Sequence, residues 1–222
     1  MDAAIIKVGG SLAAYPERLR ALCAKLSELS KTHKFILLPG GGEFTDTVRV
    51  LDKRFVLSPT VSHRMAILGM DQYGLLLSSL LPDSITVRRL EGLQEALDLA
   101  KLPVFLPSTF LFDVDTLKSS WDVTSDSIAV HIAECLNAKR VVLVTDVDGV
   151  FTCDPKKYAK AKLISHISAS ELLRLKKRTS VDKFLPKMLL QLQLQCYVVN
   201  GLYPERIEAI LKGQDTVCTL IR

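Results

Sequence analysis

Two short apolar runs near the N-terminus, Ile5-Ile6-Lys7-Val8-Gly9-Gly10-Ser11 and Phe35-Ile36-Leu37-Leu38-Pro39-Gly40-Gly41-Gly42, each break off into a glycine cluster. Apolar runs of this length bounded by glycine turns read as buried strands. Between them, residues 16–30 place Leu19, Leu22, Cys23, Leu26 and Leu29 on one helical face, and Pro16 is suited to open that helix. Strand, helix and strand make a βαβ unit with both glycine turns at the C-terminal ends of parallel strands, the edge where open α/β sheets bind ligands. Glycine has no Cβ to hold a ligand off the backbone. Lys7 stands at the mouth of the first turn. It is either a point charge suited to phosphate oxygens or a strand lysine snorkelling to water.

The same alternation continues. Helices are predicted over 43–53 and 59–80, with Pro82 closing the second, then a strand over 84–87, a helix over 90–100 and a strand over 104–106. Residues 110–120 read as a hairpin or a loop. Thr124 opens a helix whose buried face is Ile128, Ala129, Ile132, Ala133 and Leu136. The run 140–144 is a strand ending at Thr145-Asp146-Val147-Asp148-Gly149. A weak strand at 163–164, helices over 169–177 and 185–194, a strand over 196–199, a helix over 205–211 and a strand over 217–221 complete the chain. Alternating strands and helices predict a mainly parallel sheet flanked by helices.

Composition removes several function classes. At 222 residues, the chain suits one large domain or two small ones. It opens on no basic segment followed by a cleavable apolar one, and no apolar stretch approaches the ~20 residues that span a bilayer, so neither secretion nor a membrane partner is expected. Five scattered cysteines without a CxxC pair suggest neither a disulfide framework nor a zinc ribbon, and fit a reducing cytoplasm. The net charge of +5 is spread along the chain, clustering only at Lys156-Lys157 and Lys176-Lys177-Arg178. Aromatic residues do not interleave with those clusters as a stacking platform requires, so attraction of small anions is expected rather than nucleic acid binding.

Successive N–H groups of the triple glycine at 40–42, at a helix start, make an anion site without a charged side chain. The sequence is not a dinucleotide fingerprint, because Thr45 stands where the last small residue belongs, and no GxxxxGK[ST] pattern occurs. Asp122-Val123-Thr124-Ser125-Asp126 gathers more short polar and acidic groups in one turn than capping a helix requires. Asp146-Val147-Asp148-Gly149 resembles the nucleophile loop of haloacid-dehalogenase-type phosphatases, but it comes too late in the chain. It is not an EF-hand loop either, since Gly149 directly follows the second Asp. Lys187 begins a further apolar run over 188–194.

Taken in order, Lys7-Val8-Gly9-Gly10-Ser11, Pro39-Gly40-Gly41-Gly42, Thr124-Ser125-Asp126, Thr145-Asp146-Val147-Asp148-Gly149-Val150 with Asp154-Pro155, and Asn200-Gly201 resemble the motifs of the amino acid kinase family. That family includes acetylglutamate, uridylate, aspartate and isopentenyl phosphate kinases. The resemblance covers nearly the whole chain and implies an α/β fold, a three-layer αβα sandwich with an open, mainly parallel central sheet. It further implies one domain over 1–222, with an acceptor-binding part over about 1–136 and a nucleotide-binding part over about 137–222. ATP and Mg²⁺ are the implied cofactors, with Mg²⁺ held by phosphates and water rather than by protein ligands. The implied partners are a small phosphomonoester and further copies of the chain.

By the same likeness, Lys7 and Lys187 neutralise the transferring phosphoryl group from opposite sides, and Asp126 holds the two lysines. Gly9, Gly10, Ser11, Thr145, Asp146, Gly149, Val150, Phe151, Asp154 and Pro155 serve the nucleotide. Gly40, Gly41, Gly42, Asp122 and Thr124 serve the acceptor. Helix placement, rather than the likeness, offers Arg49, His63 and Arg64 to the acceptor phosphate and Glu43, Asp46 or Asp71 to an ammonium. The chain departs from the family at Asp182-Lys183, where Gly-Gly is usual, and at Cys218-Thr219, where Gly-Thr is usual. Lys183 therefore stays open as an alternative to Lys187. The runs Ser120-Trp121-Asp122-Val123-Thr124-Ser125-Asp126 and Ala66-Ile67-Leu68-Gly69-Met70-Asp71-Gln72-Tyr73-Gly74 resemble one branch, the aminomethylfuran phosphate kinases of methanofuran biosynthesis. Uridylate and isopentenyl phosphate are the alternative acceptors. A non-catalytic nucleotide sensor or storage protein is the alternative of another class.

Overall fold

The computed structural model describes residues 3–114, 117–175, 179–192 and 194–222. Its strands are β1 (Ala4–Val8), β2 (Phe35–Pro39), β3 (Ser84–Val87), β4 (Leu102–Phe105), β5 (Arg140–Thr145), β6 (Val150–Phe151), β7 (Leu163–Ile164), β8 (His166–Ile167), β9 (Gln195–Asn200) and β10 (Thr219–Ile221). Eight of them form one sheet in the order β3-β4-β2-β1-β5-β9-β10-β8, and β6 pairs with β7 apart from it. Every pairing in the large sheet is parallel except that of β9 with β10.

The helices are α1 (Pro16–Leu29), α2 (Gly42–Phe55), α3 (Pro59–Ser79), α4 (Glu91–Asp98), α5 (Ser108–Val114), α6 (Ser125–Cys135), α7 (Ala169–Arg174), α8 (Leu185–Leu189) and α9 (Glu205–Leu211). Side chains alternate across a strand, so β1 sends Ile5 and Ile6 to opposite faces. Ile5 joins the core packed under α4, α5 and α6, and Ile6 joins the one packed under α1 and α9. Burial on both faces explains why β1 and β2 are near-continuous apolar runs. The result is the expected three-layer αβα sandwich with a mainly parallel sheet.

The structure corrects several elements. Residues 110–114, the start of the stretch read as hairpin or loop, belong to α5, because Leu111 is fully buried and the Phe110 ring packs on Phe105. α8 stops at Leu189 rather than continuing through 194, and Gln193 lies outside the described residues. α7 opens on a capping box between Ser168 and Glu171 and runs to Arg174. The basic cluster Lys176-Lys177-Arg178, and with it the predicted end of that helix, lies outside the described residues. The sequence reading also missed β6, β8 and a 3-10 turn over Gly10–Ala14.

The sheet places the two glycine turns against each other. Gly9 N–H donates to Val144 O and Gly40 N–H to Val8 O, both at 2.8 Å, so the ladder runs one rung past the strands. Buried Tyr73 of α3 donates its hydroxyl to Gly9 O at 3.2 Å, tying the first turn to that helix. A Cβ on Gly10 would lie 2.0 Å from the backbone N of Gly42, and Gly42 itself has φ +55°. The floor at the strand ends is therefore bare backbone by steric necessity. Gly10→Ala is expected to force the turns apart and destabilise the protein by about 1–3 kcal/mol. At about 2–4 °C per kcal/mol for a chain of this size, thermal melting should show a loss of several degrees.

Candidate active site

Lys7 shares the face of β1 that carries Ile5, and α6 covers that face. Its Nζ meets Asp126 Oδ1 at 2.6 Å, with both side chains about nine-tenths buried. Thr124 caps α6, its hydroxyl accepting from Asp126 N–H, which turns the first carboxylate of the helix toward β1. The second oxygen of Asp126 accepts the backbone N–H of Asp182 at 3.1 Å.

Asp182 is the hub of this region. Its carboxylate accepts the N–H groups of Thr124, Ser127, Phe184 and Leu185 at 2.8–3.0 Å and the hydroxyls of Thr124 and Ser127 at 3.0 and 2.6 Å. Burial, and then the neighbouring Asp126 carboxylate, push its pKa above the ordinary range, and the donors around it pull the other way. One side chain thus stitches the start of α6 to the start of α8.

Lys7 opens onto a cleft of about 970 Å³. Its border gathers Gly9, Gly10 and Ser11 from the first turn, Gly41 and Gly42 from the second, Glu43, Asp46 and Arg49 from α2, and His63 from α3. Asp122 and Thr124 before α6, and Thr145 and Asp146 after β5, complete the predicted residues found there. Asp126 lies beneath Lys7, and Gly40 sits behind the floor with its N–H spent on Val8 O.

Other predicted residues lie elsewhere. Asp71 does not reach the cleft. It is buried, accepts from the hydroxyl and N–H of Ser108 and pairs with Arg88 at 3.1 Å, so it ties α3 to the start of α5. Lys187 is exposed and borders an adjoining cavity of about 390 Å³, as does Lys183, which pairs with Asp122 at 3.1 Å. That cavity shares Lys118, Ser120, Asp122 and Val123 with the cleft. Arg64 sits over the Phe112 ring at 5.4 Å, beside a further cavity that shares His63 and Ser119 with the cleft.

On the other side, Gly149, Val150, Phe151, Asp154 and Pro155 shape a loop rather than border the cleft. A Cβ on Gly149 would strike Thr219, and Val150 N–H donates to Thr219 Oγ1 at 2.8 Å. Thr219 is fully buried and donates in turn to Ile164 O at 2.6 Å. Asp154 accepts from Lys156 N–H at 2.9 Å in the next turn. This loop returns Lys156 to the cleft, where it pairs with Asp146, a carboxylate that also accepts from Ser11 Oγ at 3.1 Å. Burial alone would raise Asp146, but Lys156 and Ser11 outweigh it and hold it below the ordinary range. Asp148 is likewise held low, against burial, by Asn200 at 2.9 Å and Arg206 at 2.6 Å.

The sequence reading missed Asp182, Lys156 and Thr219, and also Asp52, which accepts from Trp121 Nε1 at 2.7 Å beside the Arg49 guanidinium, 4.1 Å from the same ring. The only signal for Asp182 was its departure from a familiar pattern, and for Thr219 the departure of its neighbour Cys218, since their partners lie far along the chain.

Residues 2–200 match the model of the amino acid kinase family. The chain belongs to that family. Among curated relatives it is 36% identical over 219 residues to the (5-(aminomethyl)furan-3-yl)methyl phosphate kinase of Methanocaldococcus jannaschii, covering 98% of this chain and 96% of the relative. Two solved structures share the amino acid kinase fold. One is uridylate kinase from Archaeoglobus fulgidus, with a TM-score of 0.78 at 21% identity, covering 99% of this chain and 100% of that one. The other is isopentenyl phosphate kinase from T. acidophilum, with a TM-score of 0.68 at 22% identity and the same coverage.

Two stability predictions follow from this geometry. Asp182→Asn sets an amide N–H against donors and removes the charge they converge on. It should cost about 3 kcal/mol or more, a loss of roughly 6 °C or more in melting temperature. Melting within a degree of the parent would contradict the hub role. Because Asp148 titrates lower when folded than when unfolded, the stability it contributes is present above its unfolded pKa and lost as pH falls through the folded one. Arg206→Ala should therefore move the acid-unfolding midpoint, followed by circular dichroism, to higher pH.

Proposed function

We propose that the chain is an ATP-dependent kinase that converts a small phosphomonoester to its diphosphate, with the aminomethylfuran methyl phosphate of methanofuran biosynthesis as acceptor. The observation that carries this reading is the buried Lys7–Asp126 pair, set 2.6 Å apart beneath two abutting glycine turns. A fixed ammonium beside bare backbone N–H groups is a site for developing phosphate charge. The full-length relative supports the acceptor.

In the reaction, an acceptor phosphate oxygen forms a bond to the γ-phosphorus while the bond to the β,γ-bridging oxygen breaks, leaving its electron pair on ADP. The acceptor is already an anion, so no general base is required. Lys7 neutralises the charge on the transferring group, and Asp126, itself held by the N–H of Asp182, keeps the ammonium from swinging away. Lys187 supplies the second cation from the adjoining cavity, with Lys183 as its substitute. Gly10 and Ser11 donate toward the nucleotide and Gly41 and Gly42 toward the acceptor phosphate, while Gly9 and Gly40, whose N–H groups are spent on Val144 O and Val8 O, hold the two turns in place. Thr145, Asp146 and the loop from Gly149 through Val150 and Phe151 to Asp154 and Pro155 frame the nucleoside. Glu43, Asp46, Arg49, His63, Asp122 and Thr124 hold the acceptor.

Among the described residues, no group of three or more His, Cys, Asp or Glu is placed to hold a metal. In this reading Mg²⁺ is carried by phosphates and water, where it shields their charge. In this reading one domain divides the work, residues of about 1–136 serving the acceptor and about 137–222 the nucleotide, in a cytoplasmic homo-oligomer. Among the described residues, no helix is long and apolar enough to cross a membrane. Carboxylates at Glu43, Asp46 and Asp52 along the cleft disfavour an isopentenyl tail. A nucleotide sensor on the same fold would have no need of a desolvated lysine at the floor.

ADP release over a panel of phosphomonoesters tests the proposal. The aminomethylfuran phosphate is expected to stimulate release most, and Lys7→Ala to lower kcat by about 10²–10³. ATP binding without stimulation by any acceptor would favour the sensor, and an undiminished Lys7→Ala would overturn the assignment.

A further inference from the structure

Ser62 of α3 is 3% exposed and borders the cleft, yet its Oγ has no hydrogen-bond partner, the one buried side-chain polar atom among the described residues of which this is true. Native proteins hold few such orphans, because each is destabilising. A serine turns its hydroxyl by moving between staggered χ1 wells.

Ser62 can be placed along the cleft from its neighbours. Thr45 bridges the second glycine turn and α3, lying against Gly41 and Gly69 and donating to Ala66 O at 3.4 Å. Ser62 lies one turn before Ala66 and two before Gly69. At about 1.5 Å per residue it is roughly 6–10 Å further from the glycine turn along the helix. α2 and α3 run antiparallel, reversing after Val56 at φ 51°, so Asp52 near the end of α2 comes to the same remote end. Asp52 borders the cleft there, its carboxylate fixed by Trp121 Nε1 at 2.7 Å and the Trp121 ring covered in turn by Arg49. Glu43, by contrast, directly follows Gly42, next to where the acceptor phosphate rests.

We infer that Ser62 and Asp52 form the subsite for a protonated amine at the end of the acceptor remote from its phosphate. The carboxylate meets the positive charge, and the hydroxyl accepts one of the three N–H donors of the ammonium. The offset along α3 matches a small heteroaromatic ring with a one-carbon arm on each side, and Trp121 forms the wall beside that ring. Asp71, one of the three carboxylates the sequence offered for the ammonium beside Glu43 and Asp46, is committed to Ser108 and Arg88, and in this inference the Ser62–Asp52 pair takes that role. The inference rests on the proposed kinase reading.

The test compares the aminomethylfuran phosphate with its analogue bearing methyl in place of aminomethyl, on the full chain and on Ser62→Ala and Asp52→Asn. Asparagine keeps an acceptor for Trp121 N–H while removing the charge. The preference for the aminated acceptor, as a ratio of kcat/KM values, should fall about 10-fold or more in each variant, through KM rather than kcat. Ser62→Ala should also melt no lower than the parent, since it removes an orphan. Equal losses on both acceptors, or an unchanged preference, overturn the inference. A parent enzyme that does not distinguish the two acceptors overturns it while leaving the kinase reading standing. A parent inert toward every phosphomonoester sinks that reading and the inference with it.

Discussion

An ammonium group buried at the end of a central strand is a standing liability, and the arrangement of this molecule around Lys7 answers it. Removing such a charge from water costs several kcal/mol unless a counter-charge with good geometry is supplied. Asp126 supplies it at 2.6 Å. The carboxylate reaches that position because α6 crosses the face of β1 that carries Lys7, and because Thr124 and Asp182 fix where the helix begins. Sheet register, helix placement and the turn before α8 therefore converge on one ion pair. Such a pair adds little net stability over an apolar substitute. What it provides is a cation held still at the point where two parallel strands end.

The glycine turns solve the complementary problem. Phosphate carries its negative charge on oxygens that need several donors at once, and backbone N–H groups supply them only where side chains leave room. Here the two turns touch so closely that a Cβ on Gly10 would overlap Gly42. The walls come from the α2–α3 hairpin on one side and the loop after β5 on the other.

How much of this was legible follows from which interactions are local in sequence. β1 and β2 announced themselves, because strands buried on both faces are apolar throughout and glycine turns punctuate them. Asp126 was readable from the excess of polar groups around it, and Lys7 from the turn that follows it. α5 was not readable, because its short helix depends on burying Leu111 and stacking Phe110, which only the tertiary structure provides. Asp182 looked like a lapse from a glycine pair and is a hub, since Thr124 and Ser127 reach it from a distant segment. Gly149 and Val150 read as nucleotide contacts from their motif. The Val150 N–H is committed to Thr219 and Gly149 packs too close to it to carry a Cβ, so the motif there encodes the shape of a loop. Asp71 looked like a substrate ligand for the opposite reason: nothing in the sequence reveals that Ser108 and Arg88 already occupy it.

The two ends of the cleft differ in how completely their polar groups are used. At the phosphoryl end Asp182 accepts from six donors and Asp126 from Lys7 and a backbone N–H, so there is little freedom to rearrange. At the far end a buried serine hydroxyl has no partner among the described residues. A saturated network resists change, because altering one member strands the others, whereas an unsaturated one can be refitted by single substitutions. This predicts a division within the fold. In the proposed kinase, phosphoryl transfer belongs to the saturated end, and recognition of the acceptor belongs to the α2–α3 hairpin and the Trp121 segment facing it. On that view, acceptor choice on this scaffold changes without disturbing the lysine at its centre, because among the described residues no hydrogen bond of the Lys7–Asp126–Asp182 chain passes through α2 or α3.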